Sequence, residues 1–158
     1  MTKKELYLKT VFCCIACDGD IATEEVNMVR ELCSKDHIFN NMDSEKYLNL
    51  WITEINECGS MFLQLYLKEI NTEDLNDEEQ LTLLSLAIKA IEADKHIEYS
   101  EIKFFKKIRS RLTVSDEKIL AKYPDKEELL LPDISLTEIP QWDDSTHFSQ
   151  ITIPILTN

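Results

Sequence analysis

The chain has 158 residues, 44% of them hydrophobic, and its 30 acids outnumber 17 basic residues, giving a net charge of −13. That size suits a single domain with enough apolar material to bury a core without staples. The acidity argues against nucleic acid as the main partner, because binding to phosphates draws on clustered Lys and Arg.

Apolar spacing and capping residues predict an all-α fold of seven helices. The first runs from about Lys3 to Cys17, and its second half, from Val11, is apolar on every side, as in a helix buried inside a bundle. A second starts near Ala22 and runs past Cys33, with Val26, Val29 and Cys33 as its inward stripe. Asp43 caps a third that carries Tyr47, Leu48, Trp51, Ile52 and Ile55 and stops at Gly59. The fourth, Met61 to Ile70, is apolar on most sides.

Asn76 opens the fifth, with Glu79 completing a capping box, and Leu81, Leu84, Ile88 and Ile91 face the core. The sixth, about Tyr99 to Leu112, turns Ile102, Phe105 and Leu112 inward. Its Lys103, Lys106, Lys107, Arg109 and Arg111 lie mostly on the outer face. Ser115 caps a short seventh helix ending near Tyr123. All four prolines come later, so residues 1–123 read as one helical domain and residues 124–158 as an extended acidic tail. The apolar stretches Leu129 to Leu131 and Ile151 to Ile155 suit a strand-like segment that packs across the bundle or joins a partner's sheet edge.

Five cysteines are an odd number, and Cys13, Cys14 and Cys17 crowd into the first helix. Cys14 and Cys17, with Cys33 and His37, suggest a thiol or zinc module. The plainer reading, small apolar residues in a reducing compartment, is favoured because these pairs sit inside helices. Glu5 and Lys9 fall where a secretory signal needs an apolar core. The uncharged run from Cys58 to Leu67 is far short of the roughly 20 residues that span a bilayer. A soluble, cytoplasmic protein is expected.

A short pattern occurs twice. Ile15-Ala-Cys-Asp-Gly-Asp-Ile21, followed by Glu25-Val26, matches Ile91-Glu-Ala-Asp-Lys-His-Ile97, followed by Glu101-Ile102. Asp18 to Asp94 and Glu25 to Glu101 are the same 76 positions apart. A constant offset implies two helical hairpins related by a pseudo-twofold axis. The acids have a structural explanation: Asp18 and Asp94 start the turns, and Glu25 and Glu101 meet orphan amides in a first helical turn. A functional reading adds that Asp18, Asp20, Glu24, Glu25, Asp94, Glu98 and Glu101 converge on a hard divalent cation, Ca2+ or Mg2+, held weakly. The spacing is not that of an EF-hand.

The first copy, Ala16-Cys-Asp-Gly-Asp-Ile-Ala-Thr-Glu-Glu25, resembles the A-x-D-G-x-I-x-x-x-E motif of the TerB-like family, which includes tellurite-resistance proteins and a domain of membrane-anchored DnaJ-like co-chaperones. The resemblance covers residues 3 to 123. It implies an all-helical fold of about seven helices in two similar halves, and a non-enzymatic bacterial stress-response module that binds protein partners or cations. Asp18 and Glu25 correspond to the motif's acids in the first half, Asp94 and Glu101 in the second. The second copy departs, with Lys95-His96 in place of Gly and an acid, which makes the first loop the better cation candidate.

A metal-dependent enzyme using the acidic cluster is the rival reading. No glycine-rich phosphate loop, GxSxG or HExxH supports it. The basic face of the sixth helix offers a dock for an acidic partner or for an anionic membrane at its inner surface.

Overall fold

The computed structural model describes residues 2–17, 19, 21, 23–35, 38–39, 43–72, 74–93 and 99–125. Within them the chain is all-helical, with no strand: α1 (Lys3–Ala16), α2 (Thr23–Lys35), α3 (Ser44–Cys58), α4 (Met61–Thr72), α5 (Asp77–Ile91), α6 (Tyr99–Ser110) and α7 (Asp116–Lys122). The segment from Lys126 onward, expected to be extended, lies outside the described residues. No helix among the described residues is long and apolar enough to cross a membrane.

The caps account for the boundaries. Asp43 accepts the Lys46 N–H at 3.2 Å, and Ser115 accepts that of Lys118 at 3.3 Å. Asn76 and Glu79 exchange reciprocal bonds of 2.8 and 2.9 Å at the start of α5. Gly59 ends α3 at φ +62°, a left-handed conformation that costs other residues strain, and its N–H reaches Ile55 O at 2.7 Å. A second capping box, Thr2 with Glu5, opens α1. Sequence reading passed over it although Thr-x-x-Glu is its signature.

Every residue of α1 from Leu6 to Ala16 is buried, so this helix is the axis around which the others pack, α5 most extensively. Phe12 sits in the aromatic centre, its ring 5.7 Å from Trp51 of α3 and 5.7 Å edge-on from Phe62 of α4. Lys9 and the Thr10–Tyr66 pair, polar groups inside this core, are matched. Lys9 pairs with Glu69 at 2.7 Å while its ammonium lies 4.8 Å above the Phe62 ring. Thr10 gives its one hydroxyl proton to Leu6 O at 2.8 Å, so the buried Tyr66 hydroxyl donates to Thr10.

The α2 stripe differs from the expected one. Glu25, Val29, Leu32 and Cys33 are buried, whereas Val26 is only half-buried. The inward face is therefore rotated toward a glutamate, against ordinary hydrophobic preference.

Lys3 of α1 and Glu79 of α5 form an ion pair at 2.5 Å. They are 76 positions apart, the same offset as the repeated motif. Equivalent positions of two repeats meet each other where a local two-fold axis passes. The contact also places the beginnings of α1 and α5 together, so the two helices run in the same sense. The hairpins α1–α2 and α5–α6 thus pair through their first helices.

Candidate functional site

Glu25 and Glu101 occupy the same place in their hairpins, the third residue of α2 and of α6. Sequence reading expected both in a first helical turn, and both are there. Their burial was not foreseen: Glu25 is 4% exposed and Glu101 1%. Carboxylates at such depth demand partners, because desolvating a charge is costly, and both are engaged by neighbouring groups.

Both carboxylates act on one core thiol. Burial above all, then Cys13, Glu101 and Glu25, push the Cys14 thiol well above its ordinary value. Cys14 stands near the end of α1, and the two glutamates hold matching positions in the first turns of α2 and α6.

The remaining acids of the motif divide differently. Glu24, next to Glu25, is exposed, because consecutive helical residues project about 100° apart. Asp18, Asp20, Asp94 and Glu98 lie outside the described residues, as do Lys95, His96 and His37. Gly19, between the two aspartates, adopts φ +90° and donates its N–H to Ala16 O at 3.0 Å, which closes α1 with a tight turn. No group of three or more His, Cys, Asp and Glu that could hold a metal occurs among the described residues.

The cysteines behave as apolar core residues. Cys13, Cys14, Cys17 and Cys33 are buried and Cys58 is exposed. Burial pushes the Cys13 thiol well up and raises that of Cys33 to about 11. The Cys17 thiol donates to Cys14 O at 3.2 Å along its own helix. Thiolates are the nucleophiles and metal ligands, and these surroundings disfavour them. With Ellman's reagent at pH 8, the native protein is expected to release one fast equivalent, from Cys58. The other four should react only after unfolding, and a second fast equivalent would contradict this core assignment.

The basic run of α6 is largely consumed within the fold. Lys107 is buried and Lys103 and Lys106 are half-buried. Arg109 donates to Leu112 O at 3.3 Å and to Asp116 at 2.6 Å. Of the five residues expected mostly on the outer face, Arg111 alone is fully exposed. The long aliphatic stems explain the difference, since they pack along apolar surface and lower a residue's exposure even where its charged end reaches water.

Compared with protein-family models, with curated proteins and with solved structures, the chain matches none.

Proposed function

We propose that this chain is a non-enzymatic interaction module of the TerB-like, stress-response type, in which the acidic segment running from the end of α1 into the first turn of α2 holds a divalent cation weakly. The supporting observation is the paired placement of Glu25 and Glu101, both buried and both acting on Cys14. Carboxylates crowded in sequence, as Asp18, Asp20, Glu24 and Glu25 are, repel one another, and a nearby cation relieves that repulsion. Asp18, Asp20 and Glu24 surround Glu25 in sequence with no base among them, whereas Lys95 and His96 interrupt the second copy. Calcium and magnesium take carboxylate and carbonyl oxygens, which this segment has in number. The thiol reading is weaker, because the environment of Cys13 and Cys14 holds both protonated. Protein partners would read this cation-loaded segment.

The test is a Ca2+ and then a Mg2+ titration followed by backbone amide shifts. The expected result is saturable shifts around Gly19, with affinity at about the millimolar end of the calcium range. They should vanish in the Asp18→Asn, Glu25→Gln double variant. Because Glu25 is buried, Asp18→Asn with Asp20→Asn serves as a second variant that keeps Glu25 in place. Shifts spread evenly over the acidic surface, or none, would leave these carboxylates as helix caps.

A further inference from the structure

The outer face of α4 differs from the rest of this acidic chain. Met61 and Leu65 stand one turn apart on it, 53% and 45% exposed. Lys68 follows a turn later and is also exposed, and its helical neighbours Gln64, Leu65, Asn71 and Thr72 carry no charge. The one acid of α4, Glu69, is committed to Lys9. On a molecule of net charge −13 this leaves a strip that is apolar, then basic, with no acid in it. Two half-exposed side chains fall far short of the roughly 800 Å² per partner that a stable dimer buries. The strip suits one short segment.

The fold starts α7 beside this helix. The end of α4 and the turn joining α6 to α7 flank a cleft of about 330 Å³, with Asn71 and Asp74 on one side and Leu112 and Thr113 on the other. Gln80 holds the arrangement. This side chain is 5% exposed, and its amide makes all four hydrogen bonds open to it. The Nε2 group donates to Leu75 O at 3.0 Å and to the Thr113 hydroxyl oxygen at 3.1 Å. The Oε1 atom accepts the N–H of Thr113 at 2.9 Å and of Val114 at 2.8 Å. From this fixed point the seven residues of α7 advance about 10 Å. Beyond Asp125 an extended chain gains about 3.3 Å per residue, so residue 131 lies up to about 20 Å further on. That reach matches the length of α4, about 18 Å for its 12 residues.

We propose that residues 127–131 of this chain dock along the outer face of α4. In an extended segment alternate side chains share one side, which groups Glu127, Leu129 and Leu131 at spacings of about 6.6 Å. Lys68, Leu65 and Met61 offer the complementary chemistry in reverse order, at steps of about 4.5 and 6 Å along the helix. Arriving from the end of α4, Glu127 meets Lys68, Leu129 meets Leu65 and Leu131 meets Met61. Pro132 favours extended backbone at Leu131, as this docking needs. The other apolar stretch, Ile151 to Ile155, holds no acid to set against Lys68. The docking surface shares no residue with the cation reading and does not rest on it.

A nitroxide attached to Cys58 of the full chain tests this. That thiol is exposed and lies three residues before Met61, across the Gly59 turn. Amides close to a nitroxide lose signal while it is oxidised and regain it on reduction. The amides of Leu129, Leu130 and Leu131 are expected to lose most of their intensity, and those of Ile151, Thr152 and Ile153 to keep theirs. Leu65→Gln combined with Lys68→Glu should restore the lost signal. Both residues are exposed, so the core amides of that variant should keep their native positions. Mixing nitroxide-bearing chain with nitrogen-15 chain that carries no nitroxide should leave the three leucine amides at full intensity. Full intensity in the nitroxide-bearing chain itself, or no recovery in the double variant, would overturn the proposal. So would the same loss in the mixture, which would place a second copy on this face.

Discussion

Replacing Phe12 by alanine is expected to lower stability by about 3–5 kcal/mol, against a typical total of about 5–15 for a domain. Phe12 is fully buried on α1, and its ring touches aromatic partners on two other helices, Trp51 and Phe62. The loss combines the transfer free energy of the ring, two aromatic contacts and the void left at the meeting point of three helices. Urea unfolding followed by far-UV circular dichroism would show it as a lower midpoint with an unchanged slope. Phe12→Leu should lose less, because it refills part of the volume. A Phe12→Ala midpoint equal to that of the native protein would mean that this ring does not join the three helices.

The helices were legible because their signals are local. Asp43, Asn76 with Glu79, and Ser115 sit at the starts they announce, and Gly59 closes α3 at positive φ. The all-round apolar half of α1 correctly marked a central helix, although burial extends back to Leu6 and takes Lys9 with it. Lys9 illustrates what was hidden. Its charge is matched by Glu69, 60 positions away, and no local pattern shows that such a partner waits on α4.

The same distinction governs the candidate site. The repeat offset correctly paired Glu25 with Glu101, since each is the third residue of its helix. Their depth depends on how the two hairpins pack, which no local pattern shows. The basic residues of α6 went the other way. Helical spacing turned them mostly outward, and the stems of Lys103, Lys106 and Lys107 partly or fully buried them. Gln80 had no sequence signal. A glutamine four residues after a cap reads as surface, and its partners are 33 and 34 positions downstream.

Gln80 therefore supports a prediction that runs against hydrophobic intuition: Gln80→Leu should destabilise the protein more than Gln80→Ala. Leucine adds apolar surface to a 5% exposed site, which by area alone favours folding. It also fills the space while offering no acceptor to the N–H groups of Thr113 and Val114, and Val114 is itself buried. Each backbone donor left unsatisfied costs about 1–3 kcal/mol, so the two together cost about 2–6 kcal/mol before the gain from apolar burial is set against them. Alanine also removes the acceptor, but the adjoining cleft lets water enter the vacated space and bond the same amides. The order of urea midpoints should be native, then Ala, then Leu. Amide exchange should report the loss locally, with Val114 protection falling further in the alanine variant because water reaches it there. If leucine proved more stable than alanine, apolar burial would outweigh amide satisfaction at this position, and the four bonds of Gln80 would not be what holds the α6–α7 turn against α5.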